Sequence, residues 1–161
     1  MKILVISDTH MPKKAKTLPH QLTKELESAD TVIHAGDWKT MDVYNELKSY
    51  GELHGVYGNV DDEEIRKVLP ERKVIEVQGF KIGIVHGHGE KKTTEKRAVE
   101  AFDEELDVII FGHSHLPLLR YMGKTMLFNP GSATDKRKLP YFSYGLLTIK
   151  ENLQAEHIFW K

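Results

Sequence analysis

Four short apolar segments of this chain are followed directly by side chains that can bind a metal ion. Each segment is rich in Val, Ile and Leu, which favours a buried β-strand. The segments with their endings are Ile3–His10, Thr31–Asp37, Ile82–His88 and Val108–His115, with Val56–Asn59 as a shorter example. Carboxylate, imidazole and amide donors gathered at strand ends suit a borderline or hard divalent cation, and there are enough of them for two cations.

Composition narrows the chemistry. The 161 residues include no cysteine, which excludes disulfides, thiolate nucleophiles and cysteine zinc sites. The formal net charge is only −1, so bulk electrostatics gives no sign of binding to nucleic acid or to an anionic membrane. No apolar stretch approaches the roughly 20 residues needed to span a bilayer. We therefore expect a cytoplasmic protein made of a single domain over residues 1–161.

The order of the predicted elements favours a layered α/β fold. Strands are predicted at 3–7, 31–35, 53–57, 73–77, 80–85, 107–111, 117–122, 124–128, 142–149 and 153–160. Helices are predicted around Leu18–Leu26 with Thr17 as a cap, over 40–50, from Asp61 to Pro70, and over 93–105. Strands and helices alternate at first, and antiparallel strands dominate the last third. This order predicts two mixed sheets packed face to face with helices outside.

Several of these donors also have an ordinary explanation when they are taken singly. Asp8 can be a turn or cap residue, Asn59 after Gly58 a turn residue, and His86 a hydrogen-bonded core histidine. At strand ends, however, Asp8 and a second donor two residues later can reach one ion. Together, seven donors at five strand ends favour a metal site, and they are Asp8, His10, Asp37, Asn59, His86, His113 and His115.

In order and spacing, these motifs resemble the five metal-binding motifs of the calcineurin-like metallophosphoesterase superfamily. The motifs are Asp8-x-His10, Gly36-Asp37, Gly58-Asn59-x-Asp61, His86 and Gly112-His113-x-His115. The resemblance extends from residue 3 to about residue 132 and is closest to the small prokaryotic phosphodiesterase branch. It implies a four-layer αββα sandwich in which one metal binds Asp8, His10, Asp37 and His115. A second metal would bind Asp37, Asn59, His86 and His113, with Asp37 bridging the two.

The predicted activity is hydrolysis of a small phosphodiester substrate by a hydroxide that bridges two divalent metals. Two cations about 3.5–4 Å apart can activate a water and clamp the phosphate oxygens, so no protein nucleophile is required. Mn is the expected metal, with Fe, Ni, Co and Zn as alternatives. The alternative function is a non-catalytic, metal-binding interaction scaffold, because the chain is also similar to the retromer subunit Vps29. Homo-oligomer formation is compatible with either function.

Two further residues are predicted to act in catalysis. His88 lies beside His86 and could touch the substrate phosphate, donate a proton or only hydrogen-bond a neighbour. Asp61 could orient a ligand histidine or cap the following helix. His34, in contrast, is expected to be structural.

One position departs from the commoner family pattern, because Val60 stands where many relatives have a histidine after the Gly-Asn pair. Valine cannot protonate a leaving group, which favours diesters with good leaving groups or proton donation by His88. The segment Asn129–Ser132 could meet substrate or form an ordinary turn. The basic run Lys136–Lys138 could attract phosphate or form a solvated surface.

Overall fold

The computed structural model describes all residues from 1 to 161 and contains ten strands and four helices. The strands are β1 (Lys2–Ile6), β2 (Thr31–His34), β3 (Glu52–Gly55), β4 (Arg72–Val77), β5 (Phe80–Val85), β6 (Val108–Ile110), β7 (Leu118–Met122), β8 (Thr125–Asn129), β9 (Phe142–Ile149) and β10 (Leu153–Trp160). The helices are α1 (His20–Leu26), α2 (Met41–Lys48), α3 (Glu63–Val68) and α4 (Thr94–Glu100). No helix has the length and apolar character needed to cross a membrane.

The strands form two mixed sheets of five strands each. The first sheet has the order β10-β9-β1-β2-β3, and β1 to β3 run parallel, with Ile3 opposite Thr31. The second sheet has the order β4-β5-β6-β8-β7, and β5, β6 and β8 run parallel. Within each sheet the carboxyl ends of the parallel strands lie on the same side. The loops that contain the predicted metal-binding side chains, called the donor loops below, begin there.

Three apolar layers hold the two sheets and the helices together. Ile3 and Val5 of β1 lie in a core shared with strands of the second sheet, while Leu4 and Ile6 pack with residues of α1, α2 and α3. A third cluster joins the outer face of the second sheet to Ala98 of α4. Both faces of β1 are therefore buried, which explains its continuous apolar run. The predicted αββα sandwich with two mixed sheets is confirmed.

All four helices are shorter than predicted, and α4 and α1 show the physical reasons. The helix predicted over 93–105 ends at Glu100, because Phe102 and Leu106 lie against Gly83 of β5 and the chain must then enter β6. The first helix begins at His20 rather than near Thr17, and Pro19 precedes it. Proline lacks an N–H but fixes φ for a helix start, so no side-chain cap is needed there.

Candidate metal centre

The loops that follow the parallel strands bring the predicted donors together in two clusters. The first cluster consists of Asp8, His10 and His115, and the second consists of Asp37, His86 and His113. Within each cluster the potential ligand atoms lie within 4.8 Å of one another. The division follows the two sets of ligands implied by the family resemblance.

One oxygen of Asp37 faces both clusters. Its Oδ2 lies 3.4 Å from Nε2 of His10 and 3.1 Å from Nε2 of His86. Asp8 has a similar central place, since its Oδ1 lies 3.4 Å from Nε2 of His115 and 3.8 Å from Nε2 of His86. The two clusters are therefore contiguous, as a binuclear site requires.

Backbone amides fix the orientation of both carboxylates. Oδ2 of Asp8 accepts a hydrogen bond from the His113 N–H at 3.0 Å, and Oδ1 of Asp37 accepts one from the Val60 N–H at 3.1 Å. In each carboxylate the remaining oxygen points toward the clustered histidines. Val60 thus contributes to the site through its amide rather than its side chain.

Two histidines are held in the tautomer that leaves Nε2 free. Nδ1 of His86 lies 2.7 Å from the Ala35 carbonyl oxygen, and Nδ1 of His115 lies 2.7 Å from that of Asp135. A carbonyl oxygen can only accept, so each Nδ1 carries a proton and, in the neutral ring, each Nε2 presents a lone pair. Such partners commonly orient metal-binding histidines.

Four buried atoms in this site have no hydrogen-bond partner, and they are Oδ1 of Asp8 and Nε2 of His10, His86 and His115. Buried polar atoms nearly always have partners in folded proteins. Divalent cations bound at the two clusters would satisfy these four atoms, and their oxygen and imidazole chemistry matches transition-metal preferences. The residues present therefore fit the pair of metals that the resemblance implies.

The carboxylates are held in their charged form. Burial alone would raise the pKa of Asp37, but the nearby His86 imidazole, with Nε2 3.1 Å from Oδ2, and the Val60 N–H lower it to about 2. Burial also opposes ionisation of Asp8, yet the neighbouring imidazoles of His10, His86 and His115 bring its pKa below the ordinary value. Burial lowers the pKa of His113 to about 4. At neutral pH the site offers two carboxylates and a neutral imidazole, which are the forms that bind metal.

Five of the seven predicted donors have a left-handed backbone. Their φ angles are 55° for Asp8, 46° for His10, 60° for Asp37, 65° for His113 and 59° for His115. This region is uncommon for residues other than glycine, and each instance costs on the order of 1–3 kcal/mol. Such strain concentrates at functional sites, where surrounding contacts keep it in place.

Two glycines allow the loops to approach one another. A Cβ on Gly58 would overlap the Asp37 carboxylate, and one on Gly36 would lie 2.7 Å from Nδ1 of His86. Gly36 also has a φ of 98°, which a side chain disfavours. The Gly-Asp and Gly-Asn pairs of the sequence therefore reflect close packing around Asp37.

Asn59 and His88 lie at the edge of the second cluster. Oδ1 of Asn59 is 3.2 Å from Nδ1 of His113, and the Asn59 side chain is exposed. The ring of His88 is centred 5.6 Å from that of His86 and 6.5 Å from that of His113. Its Nδ1 is buried without a partner. Both side chains therefore lie where they could contact a molecule or a metal ion bound at the second cluster.

Asp61 makes neither of the two contacts expected from the sequence. Its carboxylate accepts hydrogen bonds from the backbone N–H groups of Asp37 at 3.0 Å, Lys39 at 2.7 Å and Gly58 at 2.7 Å, and from no histidine. Its neighbour Asp62 caps α3 instead, accepting from the Ile65 N–H. Asp61 therefore binds the Asp37 loop to the Asn59 loop.

His34 lies buried beneath the Asp37 loop. Its Nδ1 accepts from the Gly36 N–H at 3.2 Å, its Nε2 lies 3.1 Å from Oγ1 of Thr9, and its ring stacks on Trp38 at 3.7 Å. Burial lowers its pKa to about 3, so it stays neutral. These contacts fit the structural role expected for it.

The segment Asn129–Ser132, which was considered as a substrate loop, donates hydrogen bonds to two of the donor loops. Asn129 donates from Nδ2 to the Gly112 carbonyl at 2.9 Å, and Ser132 donates from Oγ to the Asp8 carbonyl at 2.8 Å. Thr134 donates to the Thr9 carbonyl at 2.7 Å. Asn129 and Ser132 are buried, so they position donors rather than face the solvent.

Two arginines, which were not predicted from the sequence, donate hydrogen bonds to the loops that contain Asn59 and His88. Arg66 donates to the carbonyls of Asp61, Asn59 and Gly58 at 3.0, 3.2 and 3.3 Å. Arg97 donates to the Gly87 carbonyl at 2.8 Å, between His86 and His88. Both lie in helices rich in charged residues, where an arginine ordinarily points to solvent, so no local signal distinguishes them.

Comparison with known proteins identifies a probable metallophosphoesterase and solved structures of the same fold. A probable metallophosphoesterase of Methanocaldococcus jannaschii is 32% identical over 160 residues, which cover 98% of this chain and 81% of that protein. The zinc complex of wild-type Vps29 from Entamoeba histolytica is 27% identical, with a TM-score of 0.77 and 99% of each chain covered. An archaeal phosphodiesterase is 25% identical, with a TM-score of 0.73, and the match covers 99% of this chain and 100% of that one.

The family model for the calcineurin-like phosphoesterase superfamily domain matches residues 1–152, which is nearly the whole chain. The same residues contain both donor clusters and both sheets apart from the last strand. The resemblance seen in the sequence motifs is thereby confirmed, and the chain belongs to the calcineurin-like phosphoesterase superfamily.

Proposed function

We propose that this protein is a divalent-metal-dependent phosphodiesterase with a binuclear centre. The observation that carries the proposal is the pair of donor clusters facing one oxygen of Asp37, with four buried ligand atoms that lack any partner in the protein. Similarity to an archaeal phosphodiesterase supports the diester class. Mn is the metal we propose first, because a mixed His, Asp and Asn site accepts it readily.

Within this proposal, the side chains divide into holding and positioning roles. Asp8, His10 and His115 would hold one ion, Asp37 would be shared, and the other would be held by Asn59, His86 and His113. When bound, the two cations would supply a nucleophile from water near neutral pH and neutralise charge on the phosphate. The amides of His113 and Val60 keep the two carboxylates aimed at the centre.

We propose that His88 protonates the leaving group, since the Val60 side chain has no proton to donate. Its ring lies beside those of His86 and His113, and one of its nitrogens has no partner in the protein. We expect His88→Gln to lower kcat by roughly a hundredfold, the usual scale of general acid catalysis, while two metals remain bound. Loss of a metal from this variant, measured by elemental analysis, would identify His88 as a ligand instead.

The proposed activity can be tested with protein stripped of metal and refilled with one metal at a time. Each form is assayed with bis(p-nitrophenyl) phosphate and with p-nitrophenyl phosphate. We expect no turnover by the stripped protein and restored diester hydrolysis with Mn²⁺ or a similar ion. Full activity in protein shown to be metal-free would overturn the mechanism.

A non-catalytic scaffold is the second candidate, and the similarity to Vps29 over nearly the whole chain favours it. Strand β7, at an edge of the second sheet, also exposes Leu119, Tyr121 and Met122. Exposed apolar groups at a sheet edge are suited to protein contacts. A scaffold would bind both metals yet turn over neither substrate with any metal, so the same assay separates the two functions.

A further inference from the structure

A cavity of about 460 Å³ borders the first donor cluster. Its wall contains Ser114, His115, Leu116 and the segment Lys136–Leu139. His115 directs Nε2 toward Asp8 in the donor cluster, so the cavity lies beside the candidate metal centre. Its size falls within the range of small-molecule sites.

The basic part of this wall is tied directly to a metal-site histidine. The Asp135 carbonyl accepts the hydrogen bond from Nδ1 of His115 at 2.7 Å, and the three cationic residues follow immediately. A turn closes this segment through the Leu139 N–H and the Lys136 carbonyl at 3.0 Å. The cations are therefore held next to the centre rather than on a separate surface.

Two of the three cations have no partner in the chain. The side chains of Arg137 and Lys138 are exposed and make no ion pair or hydrogen bond, whereas Lys136 donates to the Pro140 carbonyl. The carboxylate of Asp135 is engaged by Lys14 at 3.5 Å. With a net charge of −1 for the whole chain, this run is a local concentration of positive charge.

We propose that Arg137 and Lys138 form an anion subsite for a second phosphate of the substrate. The inference rests on the proposed phosphodiesterase function and specifies its substrate class as a diester that carries another phosphate, as in a nucleotide. Guanidinium and ammonium groups bind phosphate through charge-assisted hydrogen bonds. Leu116 and Leu139 give the cavity an apolar wall suited to the uncharged part of such a molecule.

Two chromogenic substrates that differ only in the second phosphate test this proposal. They are the p-nitrophenyl ester of thymidine 5′-phosphate and the same ester with an additional 3′-phosphate. The scissile bond and leaving group are identical, so the ratio of their kcat/KM values reports the second phosphate alone. We expect the Mn²⁺-loaded protein to prefer the 3′-phosphorylated substrate by roughly tenfold or more, the scale of a hydrogen bond to a charged group.

The variant R137Q/K138Q should reduce this ratio to near one. The matched control K124Q/K150Q removes the same charge from the turns between β7 and β8 and between β9 and β10, at the opposite end of the sheets. It should leave the ratio unchanged. A wild-type ratio near one, or an equal fall in the control, would overturn the subsite.

Binding measurements separate failure of the subsite from failure of the proposed activity. Calorimetry would compare thymidine 3′,5′-bisphosphate with thymidine 5′-monophosphate on metal-loaded protein. Tighter binding of the bisphosphate by wild type, lost in R137Q/K138Q, would support the subsite even if neither ester is hydrolysed. Hydrolysis of both esters with equal binding of the two nucleotides would support the activity and overturn the subsite.

Discussion

At the scale of single residues, each carboxylate of the candidate metal centre directs one oxygen at a backbone N–H and the other at the donor cluster. Asp37 gives Oδ1 to the Val60 amide and directs Oδ2 at His10 and His86. An asparagine could keep the first contact but would place a neutral group at the shared position. The two roles of this side chain can thus be separated by one substitution.

We expect Asp37→Asn to fold normally and to lose activity by at least about a hundredfold, the scale of losing a major electrostatic contribution. Bound metal should also fall below two per chain. The exposed Asp42→Asn is the control for a change of charge alone. Diester turnover and elemental analysis check both effects, and near-normal turnover with two metals would refute the bridging role.

Val60 belongs to the same scale, because it contacts Asp37 through its backbone N–H, while its half-buried side chain takes no part in that contact. Monoesters usually need more help to expel an alkoxide than activated diesters do, so wild type should prefer the diester. Val60→His keeps the amide and adds a proton donor, an effect worth about 10²–10⁴-fold in good geometry. The monoester-to-diester ratio of kcat/KM should rise, and an unchanged ratio in a folded, metal-loaded variant would rule out this role for position 60.

At the scale of elements, helices α3 and α4, outside the two sheets, each hold a donor loop through one arginine side chain. Arg66 of α3 spans three carbonyls of the Gly58–Asp61 loop, and its guanidinium lies 4.8 Å from the Tyr57 ring centre. Asn59 is exposed, so core packing does not hold its side chain in place. The placement of Asn59 therefore depends on the helix that follows it.

We expect Arg66→Met to weaken the second metal site at least tenfold while leaving the first nearly intact, because the Asn59 loop loses three hydrogen bonds. Titration of stripped protein with Mn²⁺, followed by calorimetry, measures the two affinities. Lys67→Met is the matched control, since Lys67 is exposed on the same helix and its side chain makes no polar contact. Equal affinities in wild type and Arg66→Met would show that the loop holds its shape without the arginine.

At the scale of the whole molecule, the buried histidine under the centre links folding to pH. Burial lowers the folded-state pKa of His34 from 6.5 to about 3. Between these values the unfolded chain binds a proton that the folded chain excludes. The contribution of neutral His34 is thus fully present above pH 6.5 and is lost as the pH falls toward 3.

The free energy of unfolding of metal-free protein should consequently fall by up to about 1.4 kcal/mol per pH unit on account of this one group. In His34→Gln that component disappears, so its stability should decline less steeply between pH 6.5 and 4. Urea denaturation at several pH values compares the slopes directly. Parallel slopes for the two proteins would mean that His34 is protonated in the folded state.

The strands, their burial and the candidate donor residues could be recognised from the sequence. The two signals, an apolar run and the polar side chains that follow it, are both local. An apolar run such as that of β1 must be covered on both faces, and a donor at its end cannot be absorbed into that core. Helix ends were less accurate, as at Phe102, because packing against Gly83 overrides local periodicity. The contacts of Asp61 could not be predicted for the same reason, since its partners Asp37 and Lys39 lie far away in sequence.

The division of the donors into two clusters arises only in the folded chain. It depends on contacts such as that between the His113 amide and Asp8, which are separated by 105 residues, and that between Ser132 and Asp8, separated by 124. No local pattern encodes these distances, and the left-handed backbone at five donors persists only because such contacts hold it. A chain can thus display its candidate metal ligands in its motifs, while their geometry requires that the two sheets be packed together.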